Sequence, residues 1–268
     1  MPWISSSSLE AYSDICRNMV SQSVTLSTFK LNPIFTAVVG TTSHAYAVSA
    51  LYRIATAPSQ SISGSFSSLG LPVLSRGTHS ISGALTPFLV NDTVGNPQIL
   101  GTQFGPIGTD TVRFVESVFT LSSSFGDLNG KHVVEFGSNY GGLAVCMHQW
   151  WPSIATHSLI DLPEVQALSS KYFESIGMDT SSISYDDPIG KPIDIFISEY
   201  ALTEFDDWIT YYNTYVQPAA QGFLIRANFQ RPADYFTFLA TCSLDFSCSV
   251  FEEPKYRYPN KLVCGYKL

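Results

Sequence analysis

Apolar and polar positions follow two regimes along the chain, and the change comes near residue 130. C-terminal of that point, short apolar runs alternate with longer stretches of helical spacing. His132–Phe136 (HVVEF) predicts a strand, then a glycine-containing turn and a helix from Gly141 to about Trp151. Ser158–Asp161 ends a second strand. Pro163 opens a helix through Gly177, with proline in the first turn and glycine at the end as the expected punctuation. Ile183–Asp186 predicts a weaker third strand. Ile193–Ser198 (IDIFIS) predicts a fourth, with a helix after it through Phe205, Trp208, Ile209 and Tyr212. Gly222–Ala227 (GFLIRA) is the fifth, followed by a helix near Ala233–Cys242. Phe246–Phe251 and Leu262–Tyr266 are two last strands with no room for a helix between them. Such alternation predicts an α/β fold with a doubly wound, mostly parallel sheet and helices on both faces. The terminal pair adds one antiparallel strand, because parallel neighbours need a long crossover.

Before residue 130 the pattern is looser. Ser7 is positioned to cap a helix running through Leu9, Tyr12, Cys16 and Val20. A second helix is expected from Thr42 to Ile54. Ser59–Gly70 reads as a linker or a loop that orders over a ligand, and residues 71–92 as short strands or a small helical element. Thr109–Ser122 reads as a helix with Val112, Val115 and Phe119 along one side. The expected division is a mainly helical cap over residues 1–90 and a sheet domain over residues 91–268.

Composition narrows the function. Of 268 residues, 45% are hydrophobic and 13% charged, which favours a compact globule over a disordered chain. The net charge of −8 and the lack of any Lys/Arg run argue against a nucleic-acid partner, which demands clustered positive charge. The five cysteines show no metal-ligand spacing, and buried free thiols are the default expectation, although Cys242 and Cys248 are close enough in sequence to approach each other. No signal peptide is evident. The apolar stretch Pro33–Leu51 is broken by Thr41, Thr42, Ser43 and His44, so no membrane span is expected and a cytoplasmic location is.

The chemistry concentrates between the first strand and its helix, at Glu135-Phe-Gly-Ser-Asn-Tyr-Gly-Gly142. Ligands of doubly wound sheets bind outside the carboxyl ends of the strands. Glycines there permit close backbone approach, so a β-branched residue at Gly141 would be expected to intrude on a ligand. Asp161 ends the next strand, where a carboxylate can accept hydrogen bonds from both hydroxyls of a ribose. The turn differs from the dinucleotide pattern G-x-G-x-x-G, which disfavours a nicotinamide-dependent dehydrogenase.

At these residues the chain resembles the sugar O-methyltransferase family, which belongs to the class I S-adenosylmethionine-dependent methyltransferases. Family members carry a turn of the form hydrophobic-E-(I/F)-G-G-G-Y-G-G-L-A, which here reads VVEFGSNYGGLA, with Ser138 and Asn139 replacing two glycines. The segment after Asp161, DLPEVQAL, and a later ISEYALTE from Ile197 to Glu204 match two further family elements. NDTVGNP, from Asn91 to Pro97, and the segment bearing Arg113 resemble the family's approach to its first strand. The likeness is strongest over residues 91–228.

The resemblance implies a class I methyltransferase-like, Rossmann-like domain that binds S-adenosyl-L-methionine and methylates a hydroxyl of a sugar, nucleotide-sugar or glycan. It implies that Gly137, Ser138, Asn139, Tyr140, Gly141 and Gly142 shape the floor beneath the cofactor and that Asp161 holds the ribose hydroxyls. Leu162 would pack on the adenine, and Asp186 or Asp187 would meet its amino group. Ser198 would line the same site, Glu135 would order the turn, and Arg113 would meet the cofactor carboxylate. The acceptor's proton requires a base, and Glu199, Tyr200 and Glu204, after the fourth strand, are the catalytic candidates. His132 and His157 stand at the wrong end of the sheet, His148 beside Trp150 and Trp151 reads as packing, and His44 and His79 are reserves in the cap. No residue set suggests a metal. The cap is expected to serve the acceptor and exclude water while adding little to cofactor affinity. A phenolic acceptor and a non-catalytic cofactor-fold binding module remain as alternatives.

Overall fold

The computed structural model describes residues 6–22, 26–39, 42–56, 85–103, 105–228, 232–252 and 260–268. The expected loop at Ser59–Gly70 and His79 lie outside these.

Seven strands form the main sheet: β3 (His132–Phe136), β4 (Thr156–Ile160), β5 (Ile183–Ser184), β6 (Ile195–Glu199), β7 (Gly222–Asn228), β8 (Phe246–Glu252) and β9 (Asn260–Lys267). Their spatial order is β5-β4-β3-β6-β7-β9-β8. β3 pairs in parallel with β4 and β6, and β6 with β7, whereas β9 runs antiparallel between β7 and β8. The order reverses between β4 and β6 on either side of β3, so the crevice for a ligand opens at the carboxyl end of β3. This is the class I methyltransferase-like α/β fold, with the single antiparallel strand expected from the terminal pair. A separate hairpin, β1 (Ile99–Thr102) with β2 (Gly105–Gly108), was not foreseen.

Side chains alternate between two cores. Val133, Leu159, Ile195, Ile197, Leu224 and Leu262 face one of them, covered by helices α4 (Thr109–Phe125), α5 (Gly142–Trp150) and α6 (Pro163–Ser175). Val134, Phe136, Phe196, Phe223, Ile225 and Val263 face the other, beneath α8 (Pro232–Cys242). The helix expected after β6 is broken into a 3-10 turn Ala201–Glu204, a single α-turn α7 (Trp208–Tyr211) and a π-helical turn Tyr212–Val216. That irregularity lets Tyr212, Tyr215 and Val216 reach the second core from a short segment.

The N-terminal helices α1 (Ser6–Ser21), α2 (Pro33–Val39) and α3 (His44–Thr56) share the first core rather than forming one of their own. On α1, Tyr12, Cys16 and Met19 are buried at i, i+4 and i+7, the stripe that seats the helix on α6. Of the ambiguous stretch 71–92, residues 71–84 lie outside the described residues, and the rest holds a 3-10 helix over Thr86–Asp92. Its last two residues form a polar hub. Asp92 accepts from the Gly108 amide (2.6 Å) and the Thr111 hydroxyl (2.6 Å), and Asn91 binds Thr111, Tyr172 and the buried Lys30. The five cysteines are free, and four are buried. Among the described residues no helix is long and apolar enough to cross a membrane.

The β7–β9 seam offers a test of the packing. A Cβ on Gly222 would sit 1.9 Å from the backbone oxygen of Gly265, which cannot move without breaking the ladder, whereas one on Gly126 would meet nothing. Gly222→Ala is expected to cost about 3 kcal/mol, the upper end for overpacking. Gly126→Ala, with φ +75°, should cost about 1–2 kcal/mol from backbone strain alone. Denaturant unfolding of the two variants checks the difference.

Candidate functional site

The turn after β3 is built from alternating backbone conformations. Gly137 (φ 76°), Asn139 (φ 55°) and Gly141 (φ 86°) are left-handed, and Ser138 and Tyr140 between them are not. The serine therefore costs nothing where the family has glycine, and asparagine is among the few side chains that tolerate the left-handed position. Asn139 Oδ1 accepts from its neighbour's amide, Tyr140 N–H, at 2.6 Å. The Gly141 amide donates to Ser138 O at 2.9 Å, closing the turn onto α5.

The three glycines owe their places to the protein's own atoms. A Cβ on Gly137 would lie 2.1 Å from Ala201 Cβ, one on Gly141 2.3 Å from the Phe173 ring, and one on Gly142 2.4 Å from Phe114. A valine at Gly141 would collide with Phe173 of α6, so a loss of binding in that variant would report packing as well as any intrusion on a ligand. Tyr140 likewise points away from the crevice. Its ring is fully buried against Phe29, Phe35, Phe114 and Tyr172, with the Lys30 ammonium 4.9 Å from its centroid. Burial pushes that ammonium down to about 8.

Asp161 follows β4 directly. Oδ2 accepts from the Asn139 amide (2.7 Å) and Oδ1 from the Leu162 amide (2.8 Å), so one carboxylate bridges the turn to the start of α6. Burial pushes it up to about 6 despite these two amides. Glu204, at the end of the 3-10 turn after β6, is pushed up to about 7 by burial and by the charge of Asp161. Two carboxyl groups thus share one poorly solvated corner above the turn. In the turn itself, Ser138 Oγ is buried with no hydrogen-bond partner among the described residues. Leu162 is half-buried beside Asp161. Asp186 is exposed, and Asp187 accepts from the Tyr215 hydroxyl (3.1 Å). Ser198 is fully buried and accepts from the Leu202 amide (3.0 Å), which fixes the turn carrying Glu204.

Glu199 has a different setting from that expected of an open base. It accepts from Ser117 Oγ (2.5 Å) and Arg226 Nε (3.2 Å), and Arg113 Nε lies 3.4 Å away. Arg226 is fully buried and also donates to Tyr46 (2.5 Å) and Glu116 (3.1 Å), while Glu116 takes Arg53 (2.6 Å). Glu199 is therefore the inner member of an ion cluster joining α3, α4, β6 and β7. Both hydrogen bonds fall on Oε1, while Oε2 faces the Arg113 guanidinium and accepts no hydrogen bond among the described residues. Arg113 belongs to this cluster and is buried within it. Tyr200, with φ 75° on a non-glycine residue, is strained; its amide donates to Arg226 O (2.8 Å), and its ring lies 5.8 Å from the Arg113 guanidinium.

Sequence reasoning missed Tyr46, Glu116, Ser117 and Arg226. The available signal was Arg226 itself, since a charged residue inside the apolar strand GFLIRA demands buried partners. Glu135 lies under the turn with Oε2 3.2 Å from His157 Nε2. His157 is the second residue of β4, not one that precedes it. Burial pushes Glu135 up and His157 down, each toward its neutral form, and His157 stacks on His148 (19° between planes). His44 is exposed, 3.4 Å from Gln98 Nε2. Among the described residues no cluster of three or more His, Cys, Asp or Glu groups is arranged to hold a metal.

No protein-family model matches the chain, and no curated protein matches it. Among solved structures it is similar to magnesium protoporphyrin IX methyltransferase (ChlM) from Synechocystis PCC 6803 with bound SAM, at 14% identity and TM-score 0.49, over 58% of this chain and 78% of that one. It is also similar to the mitomycin 7-O-methyltransferase MmcR, at 14% identity and TM-score 0.41, over 60% of this chain and 56% of that one. An S-adenosylmethionine-dependent methyltransferase from Mesorhizobium loti shares 14% identity at TM-score 0.41, over 55% of this chain and 96% of that one. At such identities the likeness is one of fold, and the fold assignment rests on this chain's own strand order and directions.

Proposed function

We propose that the chain is an S-adenosylmethionine-dependent O-methyltransferase that acts on a hydroxyl of a sugar, nucleotide-sugar or glycan. The observation that carries the reading is the corner shared by Asp161 and Glu204, two carboxyl groups held above the turn at the topological switch point. A ribose diol fits a carboxylate there, and a cationic sulfonium ligand fits a site whose two acids pair with no cation among the described residues. The Ser138 hydroxyl, unpartnered among the described residues, is a third polar group suited to a ligand. Asp161 would hold the ribose hydroxyls, Leu162 would pack on the adenine with Asp186 at its edge, and Arg113 would meet the carboxylate of the amino-acid end. Glu135 and Ser198 act beneath and beside the turn by fixing its shape. When bound, the cofactor supplies an electrophilic methyl group on sulfur.

Methyl transfer requires alignment and a place for the acceptor's proton. Glu204 is assigned as the base: a carboxyl group titrating near 7 combines an available base form with useful proton affinity at neutral pH. Glu204 would accept the proton of the acceptor hydroxyl when that oxygen takes the methyl group that the bound cofactor would supply. Glu199 and Tyr200 are assigned as positioning residues that hold the wall beside it. Residues 1–90 would cap the site over the domain of residues 91–268 and exclude water. The choice of a sugar acceptor is supported by the resemblance of VVEFGSNYGGLA, DLPEVQAL and ISEYALTE, and free thiols suit a cytoplasmic setting.

Calorimetry with S-adenosylmethionine tests the cofactor, and mass spectrometry over nucleotide-sugars, oligosaccharides and phenols tests the acceptor by the mass gain of one methyl group. A protein that does not bind the cofactor would be a binding module instead. Asp161→Ala should weaken cofactor binding by about 1–3 kcal/mol, and an unchanged affinity in a folded variant would remove the ribose assignment. Glu204 works as a carboxylate, so turnover should rise with pH through about 7. Glu204→Gln should keep cofactor binding, lower turnover by about 10²-fold or more and abolish that rise. Turnover near the parent level, with the rise intact, would place the base elsewhere.

A further inference from the structure

The N-terminal helices were expected to leave the cofactor alone, yet one of them reaches the turn. Tyr12 of α1 is buried, and its ring packs on Phe35 at 5.8 Å. Its hydroxyl donates to Asn139 Oδ1 at 3.3 Å, across 127 residues of sequence. Asn139 in turn gives its amide to Asp161. The phenol, the asparagine and the carboxylate therefore form one polar chain along the carboxyl edge between β3 and β4. Tyr12 and Asp161 also sense each other directly: the carboxylate adds to burial in pushing the phenol up, which keeps it a neutral donor.

The phenol's present bond is long, and its acceptor already takes the Tyr140 amide at 2.6 Å. A hydroxyl shared between Asn139 and the Cys16 thiol one helical turn on, and held beside a carboxylate assigned to a diol, is placed to serve the diol as well. We propose that Tyr12 is a cofactor contact, hydrogen-bonding a ribose hydroxyl alongside Asp161. The inference rests on the ribose assignment of Asp161.

Helix α1 is held where it is by its buried apolar stripe and by polar ties to α6. Arg17, largely exposed, pairs with Glu164 at 2.8 Å. Lys171 donates to the carbonyls of Val20 (2.6 Å) and Met19 (3.3 Å) at the helix C-terminus, in part-buried surroundings. Both fastenings join α1 to α6, whose first turn follows Asp161, so Tyr12 and the carboxylate are held as neighbours.

The test measures S-adenosylhomocysteine and its 2′-deoxy and 3′-deoxy forms by calorimetry, on the parent protein and on Tyr12→Phe. The variant keeps the ring on Phe35, and an unchanged unfolding midpoint verifies the fold. If Tyr12 binds a ribose hydroxyl, Tyr12→Phe lowers affinity for the full ligand by about 3- to 10-fold, the size of one neutral hydrogen bond. The loss vanishes for the deoxy form that lacks that hydroxyl, which a merely structural role would not produce. Equal losses for all three ligands, or none, while the parent still discriminates among them, would overturn the contact and leave Asp161 in place. A parent that binds all three alike overturns the ribose assignment itself, and this inference with it.

Discussion

The guanidinium of Arg226 is the constraint around which the carboxyl edge is organised. It is fully buried in the centre of the sheet, where an unpaired charge is intolerable, so its surroundings must supply acceptors. Glu199 comes from the adjacent strand, Glu116 and Ser117 from α4, and Tyr46 from α3. Each donor element is thereby fixed in rotation as well as position. The consequence reaches the candidate site through Glu199 and Tyr200, because the backbone leaving β6 is clamped by the same group and then turns sharply through a strained tyrosine. The cluster gives geometry more than stability: a buried ion pair gains little over a well-packed apolar one, but breaking it leaves the remaining charge stranded.

A second constraint sits on the other side of β3, where Asp161 bridges the turn to α6. Its two acceptor bonds are to backbone amides, so they set the shape of the turn whatever side chains occupy positions 138 and 139. This explains how Ser138-Asn139 can stand where glycines are usual. It also explains why Glu204 is pushed up: the corner is dry, and Asp161 already occupies it. The two carboxyl groups therefore differ in role for a local reason, one tied by amides and the other carried on a turn pinned by Ser198.

Much of the fold was legible because its signals are local. Five of the strands are apolar runs bounded by glycine, proline or aspartate, and the helices α5, α6 and α8 start within a residue or so of the positions expected for them. The hairpin at 99–108 escaped because ILGT and GPIG carry three glycines and a proline, which weaken any strand signal. The helix after β6 was mistaken for a regular one because Phe205, Trp208, Ile209 and Tyr212 fit helical spacing; aromatic packing against Phe136 and Phe238 outweighed it. At the site, residues adjacent in sequence to the turn were found, whereas Tyr12, Tyr46 and Arg226 were not. Their roles depend on contacts between positions more than 100 residues apart, which no periodicity encodes.

The glycines of the turn carry one more consequence. Each is answered by a specific neighbour: Gly137 by Ala201, Gly141 by Phe173 and Gly142 by Phe114. Such pairs behave as lock and key within the chain, and a change on one side alters what the other can tolerate. In related sequences smaller residues at both positions that crowd Gly142, Phe114 and Tyr140, would release that position, whose backbone is not left-handed, to accept a side chain. The glycine spacing of this turn is thus a record of how closely β3, β6, α4 and α6 approach one another, and it would persist in a descendant that had lost its ligand altogether.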